Sequence, residues 1–411
     1  MTNKLAITIL VITIIGFFTF KMFEPIFVYN FGWEEFARTQ TPPIISEQNN
    51  DKWDAQSRKS AEALNEFYEN IDTPAVSIAV AVDGELAWRG AIGFANLANQ
   101  QAISFDDAFR LGSTSKAITS VAIATLVDQK DLKLDIKMGE IAPSLDESLH
   151  QITLAQAMSH RAGIRNYGLC FCFPMWEYYN QRQFGSIRES ISIIENSDLL
   201  SEPGQKYNYT SLGFNLAGLA VEQTTGKSFS KALDKQVFGP LDMQHSYLED
   251  NQLTGRSVAQ GYDVVDGNYK SVFNVNNSNR WPSGGILSTP SDMIKLGNAM
   301  LDDRLLSNSV RDSILAIPNE GHENGGDIYA LGWRISKWEL NEQLNLKSYH
   351  HNGVAFGNQS IFVVFPEQRI VISAMMNKNS TNINELAKIV NQIAVIFIPN
   401  NTTKKYSEKG E

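Results

Sequence analysis

The sequence predicts an α+β fold: one antiparallel sheet assembled from both ends of the chain, flanked by helices, with a mostly helical second lobe. Three observations carry that expectation. AVSIAVAV, Asp83-Gly84 and ELAWRGAIG read as a β-hairpin over 75–93, because Asp-Gly supplies the positive φ angles of a type I′ turn. GNQSIFVVF, Pro366-Glu367-Gln368 and RIVISAMM read as a second hairpin near the other end. Between them the chain shows helical periodicity and loops, without the alternation that a parallel βαβ ladder needs. Such a chain folds as a two-lobed unit, and the cleft between lobes is the place to seek a site.

Taken in order, the first element is Leu5 to Phe20, sixteen residues without a charge between Lys4 and Lys21. With Met22 and Phe23 it approaches the ~20 residues of a bilayer span. The residues after it are bulky, with no small-x-small cleavage site, so 1–23 reads as an uncleaved signal anchor with the body extracytoplasmic, periplasmic in a Gram-negative source. Residues 24–54 read as a tether, since Thr41-Pro42-Pro43 blocks regular structure. A helix follows over Trp53 to Tyr68, then the first hairpin; the last helix is NELAKIVNQIAVIFI, and 398–411 is a polar tail. The folded body is 55–397.

Composition narrows the function. The 411 residues carry 35 Lys+Arg against 45 Asp+Glu, a net charge of −10, with no basic stripe to neutralise phosphates, which argues against nucleic acid as a partner. Six histidines without HExxH or CxxC spacing support neither a metal site nor a cofactor. Cys170 and Cys172 are too few for a disulfide framework. Two residues apart, they read as ordinary thiols. The nearby cluster Phe171, Phe173, Trp176, Tyr178 and Tyr179 suits either a cleft mouth or plain packing.

Three motifs carry chemistry. In FRLGSTSKAITSVAIATLVD, Ser113 and Lys116 stand three apart at the start of an apolar-faced helix. A lysine drawn into a poorly solvated cleft loses its proton near neutrality and becomes a base for the serine. The same SxxK spacing at Ser228 to Lys231 reads as a capping serine before a surface lysine. In PGQKYNYTSLGF, Tyr209 stands in a loop before an apolar helix, suited to shuttling a proton. His351-Asn352-Gly353 opens a strand running from Val354 to Phe365, where the glycine lets a substrate approach and the next N–H serves an oxyanion.

SxxK, Tyr-x-Ser and His-x-Gly in this order, with SHRAGIRNY (159–167) and GGILSTPSDMIKLGNAML (284–301), resemble the serine β-lactamase and penicillin-binding-protein superfamily. The similarity is to its class C-like, LACTB-like branch, and it covers most of the body. It implies a β-lactamase/transpeptidase-like fold, with Ser113 as the acylated nucleophile, Lys116 as its base and Tyr209 as proton donor to the leaving group. It further implies an oxyanion hole from the backbone N–H groups of Ser113 and Val354, and substrate contacts from Ser211, His351 and Gly353. The implied reaction is cofactor-free hydrolysis of a small ester, amide or peptide, cell-wall peptides among them. Two departures stand out: Ser211 replaces the amide of Tyr-Ser-Asn, and His351 replaces the lysine of the KTG motif. Both weaken the grip on a β-lactam, so a poor β-lactamase is expected. The alternative is a weakly catalytic relative that binds or forms filaments at the membrane.

Overall fold

A computed structural model describes residues 2–31, 35–36, 42–250, 255–265, 268–316, 328–342, 344–380 and 382–398. Its main elements are, in chain order, α1 (Thr2–Phe31), β1 (Ile45–Glu47), α2 (Asp54–Asn70), β2 (Ala75–Val82), β3 (Glu85–Asn96), α3 (Ser115–Asp128), α4 (Gly213–Thr225), α5 (Pro290–Ala299), β4 (Arg334–Asn341), β5 (Leu344–Ala355), β6 (Asn358–Phe365), β7 (Ile370–Met376) and α6 (Asn384–Phe397). The large sheet runs from the short strand Ile328–Tyr329 through β4-β5-β6-β7-β2-β3-β1. Every pairing is antiparallel, and the chain ends meet where β7 lies beside β2, Ile370 opposite Val82 and Met376 opposite Val76.

Both predicted hairpins form. Asp83 and Gly84 take φ of 51° and 85°, as a two-residue type I′ turn requires, and Val82 faces Glu85 across it. β2, β6 and β7 are buried at every position, which explains their near-continuous apolar runs. Alternate residues go to opposite cores. Val76, Ile78, Val80, Ile361, Val363 and Ile372 pack under α2 and α6, while Ala79, Phe362, Val364 and Val371 face α5 and the helical lobe.

At the centre of that lobe is α3, buried continuously from Ser115 to Leu126. The sequence suggested a helix with one apolar face; packing on all sides uses its serines, threonines and Lys116 as well. Three further expectations need correction. The helix α1 runs to Phe31, so residues 24–31 are helix rather than tether. It bends at Phe23 (φ −109°, ψ 15°) just ahead of Pro25, whose missing N–H interrupts the ladder. Its side chains from Leu5 to Phe20 are exposed, whereas Pro25 is buried and Val28 and Tyr29 pack with Phe273 and Phe356 of the body. Next, β5 already begins at Leu344 and ends at Ala355; Gly357, at φ 72°, turns the chain into β6, so His351 lies late in one strand rather than at the start of another. Third, Cys170 and Cys172 are joined as a disulfide, the loop doubling back so that their Cα atoms are 5.2 Å apart. Part of the tether (37–41) and all but the first residue of the expected polar tail lie outside the described residues.

Candidate active site

Ser113 sits in the tight turn Gly112–Thr114 that leads into α3. Two walls clamp this turn. On one side Ser360 Oγ of β6 donates to Leu111 O (2.8 Å) and shares a hydrogen bond with Thr114 Oγ1 (2.8 Å). On the other, Leu111 N–H donates to Ile286 O (3.0 Å), and Ser115 Oγ accepts from Ile286 N–H (3.3 Å). The turn is thereby fixed at the mouth of the interlobe cleft before any substrate arrives, which is the preorganisation a nucleophile needs.

Lys116 follows one turn later, and its side chain is wholly buried. Its Nζ lies 3.2 Å from Ser113 Oγ and 3.4 Å from Ser211 Oγ, and donates to Ser283 O at 3.0 Å. It also stands over the Tyr209 ring, 4.9 Å from its centroid. Among the described residues no carboxylate pairs with it. Burial without a counter-ion holds the amine well below its ordinary 10.5, and the positive charges of Arg334 and Arg280 push it further down. A neutral amine fits this geometry: one N–H donates to the Ser283 carbonyl while the lone pair faces the Ser113 hydroxyl.

Behind Lys116 lies an aromatic stack. The His160 ring packs on Tyr209 (4.2 Å) and on Tyr329 (4.4 Å). His160 Nδ1 accepts from Thr210 N–H at 3.3 Å, which orients the loop that carries Tyr209. The guanidinium of Arg334 lies 5.8 Å from the Tyr209 ring centroid and 5.5 Å from that of Tyr329. His160 is held well below 6.5, by burial first and by Lys116 second.

His351 occupies a different place from the one expected. It is buried, its Nδ1–H donates to Asn352 O at 2.8 Å, and its Nε2 accepts from the Tyr329 hydroxyl at 3.0 Å. Burial keeps it neutral, well below 6.5, with Lys116 and Arg334 adding to the effect. It stands behind the residues that line the cavity in front of Ser113, its ring edge-on to Tyr329. Gly353 also has a different reason from the one expected. A Cβ there would lie 1.8 Å from Leu111 O, so the glycine lets β5 press against the nucleophile turn rather than against a substrate. That contact brings Val354 beside Gly112, whose φ of 52° suits glycine.

The cavity in front of Ser113 has a volume of about 210 Å³ and is lined by Gly112, Ser113, Ser211 and Val354, with Tyr178 and Phe356 at its rim. The predicted Ser113, Ser211 and Val354 thus meet on one cavity. Lys116 and Tyr209 stand behind its wall. The second SxxK pair is ordinary: Ser228 caps the helix Phe229–Leu233, and Lys231 is exposed. Sequence reasoning passed over Arg280, which also lines the cavity and is 5% exposed. Its guanidinium lies 4.6 Å from the ring centroids of both Tyr167 and Tyr178, donates to backbone and to Asn279, and meets no carboxylate among the described residues. The signal was present as a lone charge in the run SNRWPSGGIL.

The fold is shared with known proteins. The Beta-lactamase family model matches residues 61–394. Human "Serine beta-lactamase-like protein LACTB, mitochondrial" is 24% identical over 80% of this chain and 78% of its own length. "Penicillin-binding protein 4" of Amycolatopsis lactamdurans is 24% identical over 74% of this chain and 81% of its own. Among solved structures, the D-amino acid amidase of Ochrobactrum anthropi superposes with a TM-score of 0.70 at 20% identity, covering 83% of this chain and 98% of that one. The chain belongs to the Beta-lactamase family, a family of serine hydrolases with the β-lactamase/transpeptidase-like fold.

Proposed function

We propose that the chain is a membrane-anchored serine hydrolase that cleaves an amide, peptide or ester through an acyl-enzyme on Ser113. The observation that carries this reading is the wholly buried Lys116 amine 3.2 Å from Ser113 Oγ, with no acid paired to it among the described residues. Lys116 Nζ takes the hydroxyl proton as Ser113 Oγ attacks the substrate carbonyl carbon. The oxyanion so formed is stabilised by the backbone N–H groups of Ser113 and Val354. Collapse breaks the bond to the leaving group, which receives its proton from Tyr209. The Tyr209 phenolate then takes a proton from the attacking water, and Lys116 returns its proton to Ser113 Oγ as the ester bond breaks and the acid leaves. Ser211, within 3.4 Å of Lys116 Nζ, serves the same proton path and the substrate carbonyl.

Arg280 sets the substrate's charge. A cavity-lining guanidinium without an acidic partner favours a substrate bearing a carboxylate, as small peptides do. Relatives named D-aminopeptidase and D-amino acid amidase support amide and peptide substrates. With His351 buried and an amide replaced by Ser211, β-lactams are poor substrates. The helix from Lys4 to Phe31 is long and apolar enough to cross a membrane, which supports an anchor with the body outside the cytoplasm.

The test offers the full chain in detergent an activated ester, a D-amino acid amide and a penicillin. Turnover of the first two that Ser113→Ala abolishes, with penicillin kcat/KM far below theirs, is the expected result. Turnover that survives Ser113→Ala, or penicillin hydrolysis as efficient as that of the other two, would overturn the proposal.

A further inference from the structure

Residues Asn166 to Trp176, NYGLCFCFPMW, carry no charge. They double back as a short arm: Leu169 pairs with Trp176, and Cys170 N–H donates to Met175 O at 2.9 Å. The tip presents apolar side chains to solvent, with Leu169 64%, Phe171 109% and Phe173 45% exposed. Three such residues on one uncharged arm form a patch that asks for a partner.

The arm lies along α1, and the contacts fix its height. Met175 N–H donates to Met22 O at 3.1 Å, Trp176 packs edge-on to Phe23 at 6.0 Å, and Phe173 meets the Phe18 ring at 5.6 Å. The arm therefore points towards the N-terminus of α1, and its tip reaches the level of Phe18. Phe18 belongs to the segment Leu5 to Phe20, whose side chains are all exposed. At 1.5 Å per residue it lies about 4–5 Å on the apolar side of Lys21. Whatever covers Phe18 also covers Phe173.

We infer that the 169–174 arm is a second membrane-inserting element, which seats the catalytic cleft at the surface of a lipid bilayer. This rests on the reading of α1 as a membrane anchor. The side chains on the body side of the arm suit an interface: Trp176, Tyr178 and Tyr179 supply amphipathic rings, and the exposed Arg182 and half-buried Lys21, paired here with Glu189 and Glu24, can exchange those partners for headgroup phosphates. Tyr178 itself borders the Ser113 cavity, and Tyr179 meets Tyr29 of α1 at 6.5 Å, eleven residues after Phe18. Along α1 that is about 16 Å, or about 12 Å above Lys21, so the rim of the Ser113 cavity lies just beyond the headgroup layer and faces the membrane surface.

The experiment reconstitutes the full chain into phosphatidylcholine vesicles containing some phosphatidylglycerol, with acyl chains either plain or brominated. Phe171→Trp and Leu169→Trp each add one indole at the arm, and Leu200→Trp adds one at an exposed site elsewhere. The emission added over the parent chain is compared in the two lipids, after a thermal melt shows each variant folded. The expected result is that brominated chains remove on the order of half of the emission added at 171 or 169 and none of that added at 200. Emission at both arm sites that resists brominated lipid but yields to aqueous acrylamide would overturn the inference. An alkaline carbonate wash separates the two readings. A chain that stays in the vesicles without arm quenching defeats the arm alone, whereas a chain that washes off defeats the anchor and the arm together.

Discussion

At the scale of single residues, the site works by withholding counter-charge. Lys116, His160 and His351 are all buried near Arg334, and among the described residues no carboxylate pairs with Lys116. Lys116→Met should lower kcat/KM for an activated ester by about 10²–10⁴, the usual worth of a positioned general base. The same change should raise the melting temperature at pH 7 by a few degrees. The folded amine sits well below its unfolded 10.5, so folding disfavours its charged form, and removing the group removes that cost. Arg334→Met takes away a positive charge that depresses Lys116; the acid limb of the kcat/KM profile should move to higher pH, with little change at the plateau. An unmoved limb would mean that burial alone tunes the amine. Arg280→Met should weaken a carboxylate-bearing substrate about 10–100-fold relative to its amide-capped analogue, the worth of a charged hydrogen bond. Equal losses on both would remove Arg280 from substrate recognition.

At the scale of elements, the clamp on the nucleophile turn is what the fold contributes. Gly353→Ala puts a methyl group 1.8 Å from Leu111 O, so β5 and the turn must part. The expected cost is about 1–3 kcal/mol or more, seen in the melt, together with slower labelling of Ser113 by a fluorophosphonate. Local patterns made much of this level legible from residues alone. The Asp83-Gly84 turn, the apolar runs of β2, β6 and β7, and the helices α2 and α6 all show the period and punctuation of their final state. β4 was not legible, because RISKWELN forms a largely exposed strand where charged residues interrupt the alternation, and the start of β5 was not because LNLKSYHH puts Ser348 and two histidines, rather than apolar residues, at buried positions. The extent of α1 was hidden by Pro25, which reads as a stop but here only bends a helix held against the body. For the site, the spacing of Ser113 and Lys116 was sufficient, since one helical turn joins them. Tyr329 was invisible, and Arg280 showed only as a lone charge, because only the folded chain brings them to α3.

At the scale of the whole molecule, stability and location follow from the same burial. The folded imidazoles of His160 and His351 lie well below 6.5, near which the unfolded ones titrate. The unfolded chain therefore binds more protons as pH falls through 6.5, and stability should drop from there downward. A thermal melt from pH 8 to pH 5 checks this, and a flat melting temperature below 6.5 would contradict it. Because residues 21–29 of α1 pack on the body, the cleft is held at a set height above the apolar segment instead of swinging on a tether. The account turns on Ser113 as a nucleophile made reactive by a neutral lysine. The most direct measurement treats the folded full chain with a fluorophosphonate at neutral pH and maps the adduct by peptide mass spectrometry, beside Ser113→Ala and Lys116→Met. The account predicts one adduct on the peptide that carries Ser113, absent from Ser113→Ala and formed far more slowly in Lys116→Met. An adduct on another residue, or a rate indifferent to Lys116, would contradict it.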